Sequence, residues 1–333
     1  MTPSETKIGI LIRTKNRPMC LERALQNIIR QSFADWHIHL LNDGGDTTPI
    51  ERLLEKYSAV LSKKTTLYNN PTSVGRGNAA AQLIASSREE YLIIHDDDDT
   101  LEPDFLFKTC EYLDKKENEN CVGVITSNYD VFEKIENNQI HTISKTDQYG
   151  KRNTRFIDYL SLMATDTSLI PICVLFRSAG IRQSGSVNGG MNFMEDHDFF
   201  VRLMRYGEFG VILDTLASYH HRVDSHTDYD TTRTIMQQGY RDLYFNQKIR
   251  QAILDNDNLS KFICDVTYEK KSRDFIAHKL DIHFKEINNS LHLLTQAITQ
   301  INERTGHLEQ MQHKTLMAVQ SLCTILSNQQ KPS

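Results

Sequence analysis

Between residues 8 and 127 one pattern recurs: a short strand-length run, continuously apolar at 8–12 and 91–95, then a loop, then apolar residues at helical spacing. The runs are 8–12, 36–41, 65–68, 91–95 and 122–127, and helical patterns fall at 18–29, 50–61, 77–87 and 105–113. Strand-length apolar runs of this kind suit strands covered on both faces. Their alternation with helices predicts an α/β fold built on a mostly parallel sheet with helices on both faces. Right-handed crossovers place the carboxyl ends of such strands on one edge, where open α/β sheets bind ligands. Asp43, in the turn Asn42-Asp43-Gly44-Gly45, is therefore expected beside the four consecutive acids Asp96, Asp97, Asp98 and Asp99, more than fifty positions away.

Four carboxylates at one strand end repel one another unless protons or a cation compensate them. Oxygen donors packed this way suit a hard divalent ion. The alternative is an acidic loop capping the next helix, because Asp99-Thr100 and Pro103-Asp104 both read as helix starts. The two readings are compatible for different residues.

The formal charge of −5 over 333 residues has no basic bias, so long nucleic-acid tracts are not an expected partner. No apolar stretch approaches the roughly 20 residues that cross a bilayer, and residues 1–7 lack the apolar core of a secretory signal. A cytoplasmic location is expected. The six cysteines, Cys20, Cys110, Cys121, Cys173, Cys264 and Cys323, lack paired spacing, which argues against a zinc knuckle or a disulfide framework.

Residues 133–154 are polar and aperiodic, as in a hairpin or mobile insertion, and 172–176 reads as a further buried strand. The stretch 193–204 has helical periodicity and carries Glu195 and Asp196 in its first turn, where a helix dipole favours anions whatever else they do. Residues 219–227 form a histidine-dense loop with His220, His221 and His226. From about residue 231 long helices are expected. From Leu280 a heptad can be counted: one seam position holds Phe284, Leu291, Ile298, Thr305, Gln312, Val319 and Leu326, the other Leu280, Ile287, Leu294, Ile301, Leu308, Thr315 and Leu322. Eleven of these fourteen are apolar and no proline interrupts them, which favours a coiled coil over a helix folded back on the body. The rod would extend on the order of 70 Å. Three regions are thus expected: a catalytic domain at 1–230, a helical connector at 231–275, and a coiled-coil helix at 276–330 that makes a homo-oligomer.

The order of several motifs from Lys7 to about Thr227 resembles family 2 glycosyltransferases of the GT-A fold. They are Ile-Leu-Ile-Arg-Thr-Lys-Asn-Arg-Pro, Gln31-Ser-Phe-Ala-Asp-Trp36, the Asn42-Asp43-Gly-Gly turn, Val74-Gly-Arg-Gly-Asn78, the four acids, and Met194-Glu-Asp-His-Asp-Phe. By resemblance, Asp43 holds the base of a nucleotide sugar, preferably UDP-linked, and Arg76 lies near the nucleotide. Asp96 lies near the ribose, with Asp97, Thr14 and Arg17 in the same donor-facing set. Asp98 takes Mn2+ or Mg2+, and His221 or His220 reaches the metal or the diphosphate. Arg222 occupies a competing alignment position, as does His226. Asp196 is the catalytic base: an inverting displacement needs a carboxylate opposite the leaving group to take the acceptor's proton. A β-linkage from an α-linked donor follows if the sugar is of the glucose or galactose type.

The resemblance further implies a saccharide or lipid-linked acceptor, with bacterial surface polysaccharide assembly, peripheral at the inner membrane face, as the setting. Three rivals use the same residues. Gly75-Arg-Gly-Asn-Ala-Ala80 imitates a dinucleotide fingerprint, but a polar loop separates it from its strand. Asp96, Asp98 and Thr100 imitate a phosphohydrolase motif, but that motif normally lies on an early strand, and the downstream lysine and further acids do not fall in its pattern. A non-catalytic scaffold built around the coiled coil sits poorly with the presence of both Asp98 and Asp196.

Overall fold

The computed structural model describes residues 6–137, 139–149, 154–163, 168–191, 194–222 and 258–329, in two compact units, Met1–Thr267 and Tyr268–Ser333. In the first unit, β1 (Ile8–Thr14), β2 (Trp36–Asp43), β3 (Thr65–Asn70) and β4 (Tyr91–Asp96) pair in parallel in the order β3-β2-β1-β4. Between them run α1 (Pro18–Ile29), α2 (Thr48–Lys56), α3 (Ser58–Leu61) and α4 (Arg76–Ser86). This is the alternation read from the sequence, with the single helix expected at 50–61 broken at Tyr57.

The other half of the sheet is mixed. After β5 (Thr100–Leu101) and α5 (Phe105–Asp114), a long strand β6 (Cys121–Glu136) turns back as β7 (Gln139–Asp147). Beyond α6 (Tyr159–Met163), β8 (Val174–Arg177) lies antiparallel between β4 and β6. The helices α7 (Ile181–Ser184) and α8 (Glu195–Leu203) lead to β9 (Glu208–Arg222), which runs parallel to β6 and antiparallel to β5. The polar stretch from Glu133 is thus a hairpin, since antiparallel neighbours need only a short turn. The expected histidine-dense loop is strand as far as Arg222, because β9 pairs with β6 up to Glu133↔Arg222. His226 and most of the expected connector lie outside the described residues.

One core joins both halves, from Ile10, Leu40 and Ile93 to Phe176, Phe199, Phe200 and Phe209. The rings of Phe200 and Phe209 meet edge to face at 5.7 Å, which seats α8 on β9. Cys20, Cys110 and Cys121 are buried free thiols, and Cys173 is buried.

The second unit is formed by most of a single helix, α9 (Asn258–Gln329). The chain as described leaves the seam open: Phe284 is 62%, Leu291 63%, Leu294 60% and Ile301 61% exposed. Among the described residues no helix is long and apolar enough to cross a membrane.

Candidate active site

Three strand ends build the site. β1, β2 and β4 run parallel and in register, so Thr14 stands beside Asn42 and Arg13 beside Asp96. Asp43, at the end of β2, accepts hydrogen bonds from Asn70 Nδ2 (3.0 Å), Ser73 Oγ (2.7 Å) and the backbone N–H groups of Val74 (2.9 Å) and Gly75 (3.1 Å). Although burial opposes it, these donors hold the Asp43 carboxyl below its ordinary value. Gly44, at φ +77°, permits the approach: a Cβ there would collide with the Ser73 backbone nitrogen. The result is a fixed loop leading into α4, whose first residue is Arg76.

The four acids are distinguished by their partners. Asp96 accepts from Arg13 Nε at 2.8 Å, and Arg13, Arg76 and Arg17 hold it well below the usual carboxylate range against the effect of burial. Asp97 is fully buried, takes the Thr14 hydroxyl at 2.5 Å, and pairs with Arg17 at 2.6 Å. Burial, reinforced by its acidic neighbours, nevertheless pushes Asp97 up to about 6. Asp98 meets Arg17 at 3.1 Å and the buried guanidinium of Arg222. Asp99 accepts the backbone N–H of His220 at 2.9 Å, so this acid fastens β9 and does not cap α5. Burial, followed by the charges of Asp98 and Asp96, raises Asp99 well above its ordinary value.

Oxygens of Asp96, Asp98 and Asp99 lie within 4.8 Å of one another. Such a set fits a hard divalent cation that prefers carboxylate oxygen. Arg222 must then share Asp98 or release it. Neither histidine ring joins the cluster: His220 has Nε2 on Thr100 Oγ1 (3.0 Å) and Nδ1 on Glu133 (2.9 Å), and His221, on the opposite face of β9, meets Asp130 at 3.3 Å and stacks on Phe132.

The first turn of α8 comes to the same edge through Glu195. Its buried carboxylate binds Arg76 at 2.8 Å and lies 3.6 Å from Arg13, the residue that also holds Asp96. Met194 precedes it in the left-handed region at φ 57°, an uncommon conformation for a side chain of its size, and aims this turn. Asp196 accepts the His197 N–H at 2.8 Å, so it does serve the helix start. It is also pushed up to about 6, first by burial and then by the charge of Glu195, against the pull of Arg76 and Arg13. Asp198 is tied off by Arg202 at 2.9 Å.

The structure therefore gathers Thr14, Arg17, Asp43, Arg76, Asp96, Asp97, Asp98 and Asp196 along one edge. Sequence reasoning did not single out Arg13, Arg23 or Glu133. The buried Glu133 bonds Arg23 at 2.8 Å and His220, with Arg222 at 3.7 Å. It sits in a stretch with no apolar period, which gave no sign of burial.

A parallel sheet that presents carboxylates beyond its strand ends, continued by a mixed half-sheet, fits the GT-A fold. The family model described as Glycosyl transferase family 2 matches residues 9–183, more than half of the chain, and the chain belongs to that family. No curated protein sequence matches it. Among solved structures, S. aureus TarS 1–349 in complex with UDP-GlcNAc superposes with a TM-score of 0.55 at 15% identity, covering 81% of this chain and 73% of that one. The mannosyltransferase PcManGT from Pyrobaculum calidifontis, in complex with GDP-Man and Mn2+, gives 0.53 at 12%, covering 82% and 76%. Against two other TarS chains the protein spans 60% and 37% of their length. At these identities the likeness is one of fold.

Proposed function

We propose that the protein transfers a sugar, with inversion, from a nucleoside-diphosphate sugar to a hydroxyl of a saccharide or lipid-linked acceptor. The observation that supports this reading is the arginine bridge: Arg13 touches both Asp96 and Glu195, which brings the acid run and the Glu195–Asp196 turn to one sheet edge. Asp196 takes the acceptor proton, and its carboxyl near 6 stays ionised at neutral pH while remaining basic enough to do so. Asp43 shapes the loop on which the base rests, while Asp96, Asp97, Thr14 and Arg17 line the path toward the ribose and phosphates. Asp98, with Asp96, would hold Mn2+ or Mg2+, which neutralises charge on the departing diphosphate.

Two neighbours of the same fold hold UDP-GlcNAc, or GDP-Man with Mn2+, in their own sites. A UDP-sugar is the donor we favour. The open heptad seam of α9 fits a homo-oligomer, and joined active sites would raise avidity for a multivalent or membrane-presented acceptor. Bacterial surface polysaccharide assembly, at the cytoplasmic face of a membrane, is the setting this reading favours.

The test is a screen of nucleotide sugars for Mn2+-dependent release of nucleoside diphosphate, followed by NMR of the product's anomeric centre. Release with an inverted centre is expected. Release of inorganic phosphate from phosphomonoesters, with no sugar transfer, would instead establish the phosphohydrolase.

A further inference from the structure

The helix α1 packs Leu21, Ala24, Leu25 and Ile28 into the core and carries a polar stripe on its flank. Arg23, Gln26, Asn27 and Arg30 recur at i, i+3, i+4 and i+7, the spacing of a single stripe. This stripe lines a cleft of about 450 Å3, with Glu102 beside it and Val131, Lys145 and His220 opposite. The opposite wall is a cross-strand row, because Lys145 pairs with Val131 and Val131 with His220.

The charges in this cleft do not cancel. Arg23 is met by Glu133 at 2.8 Å and 3.1 Å. Arg30 and Lys145, both exposed, face Glu102 as the one acidic residue in the lining. No ion pair engages either of them among the described residues. Lys145 Nζ stands 3.6 Å over the Tyr129 ring. The Nε–H of Arg23 is buried and finds no acceptor among the described residues, so this arginine is not fully satisfied by Glu133.

We propose that the cleft between α1 and the β6–β7 hairpin binds a phosphate-bearing ligand, with Arg30 and Lys145 at its mouth and Arg23 at its floor. The site is separate from the donor pocket but wired to it. Arg23 also donates to the Asp98 carbonyl oxygen, and His220 in the lining gives its backbone N–H to Asp99. An occupant that draws Arg23 toward the cleft therefore acts on the backbone that carries Asp98. The inference goes beyond the proposed transfer reaction and does not depend on it.

The experiment is calorimetric titration of the full chain with inorganic phosphate, comparing wild type with the double variant Arg30→Glu/Lys145→Glu and with Arg76→Ala on the donor side. Both residues of the double variant are exposed, so the fold is retained. Each lost charge-assisted hydrogen bond weakens binding by about tenfold or more. Binding lost in the double variant and kept in Arg76→Ala is expected. Binding kept in the double variant and lost in Arg76→Ala would place the phosphate at the donor pocket and overturn the proposal. Absence of binding to wild type would overturn it too, unless the chain sediments with phosphatidic acid vesicles, not phosphatidylcholine vesicles, and does so through Arg30 and Lys145. Sedimentation assigns the phosphate to a lipid headgroup; titration without sedimentation assigns it to a soluble phosphoryl compound.

Discussion

Replacing Glu195 by Gln removes one negative charge from between two arginines and keeps the shape. The carboxylate is 1% exposed and makes contacts of 2.8 Å to Arg76 and 3.6 Å to Arg13. Breaking a buried ion pair costs about 3–5 kcal/mol. Two features reduce that here: the Arg76 side chain is 53% exposed and partly screened by water, and Gln keeps an acceptor oxygen. About 2 kcal/mol remains, which in urea moves the midpoint down by about 0.7–1 M. Trp36, the only tryptophan, is buried on β2, so its fluorescence reports on the catalytic body and not on α9. The same variant has a second, opposite readout. Burial is the larger reason that Asp196 stands near 6, and the Glu195 charge is the next. Removing that charge lowers the Asp196 value, so the acid limb of the rate profile moves to lower pH while stability falls. An unshifted midpoint together with an unmoved acid limb would refute the bridge.

Three further outcomes follow from the same geometry. Arg222→Met removes a guanidinium that a cation must displace or share at Asp98; Mn2+ affinity, followed by the EPR signal of the free ion, should tighten about tenfold, and unchanged or weaker binding contradicts this. Burial alone would raise Glu133, but His220 and Arg23 hold it at about 2. Its stabilising contribution is therefore complete above the ordinary value of 4.5 and lost as pH falls toward 2. Glu133→Gln should flatten that acid dependence and cost about 3–5 kcal/mol, whereas an unaltered acid midpoint of Trp36 fluorescence would show the carboxylate to be idle. Paired Leu291→Asn and Ile298→Asn changes on α9 should dissociate the chain to a monomer in light scattering without affecting the Trp36 transition. An oligomer that persists would show that the seam is not the interface.

β1 and β4 were legible because each is a nearly continuous apolar run, which suits a doubly covered strand, and β2 and β3 because each stands between two helical patterns. The second half was less so. β9 includes Tyr219-His-His-Arg222, residues that read as loop; they are strand because the long β6 lies alongside, a tertiary fact with no local signal. The acids at 96–99 were legible as a cluster, but their division of labour was not. Arg13, Arg17, Arg222 and the His220 backbone decide which carboxylate is tied off and which remains for a ligand, and all four lie at least 79 positions from the acids in sequence. Glu133 was hidden for the same reason: its partners come from α1 and β9.

The central claim is that Asp98 and Asp196 act on the same bound sugar. Turnover and binding measured side by side on Asp196→Asn and Asp98→Ala test it most directly. Asp196→Asn should keep donor and Mn2+ binding in calorimetry while transfer falls by about 10²–10⁴, and Asp98→Ala should lose Mn2+ binding and transfer together. Transfer by Asp196→Asn within tenfold of wild type, or a product that retains the donor's anomeric configuration, would contradict it.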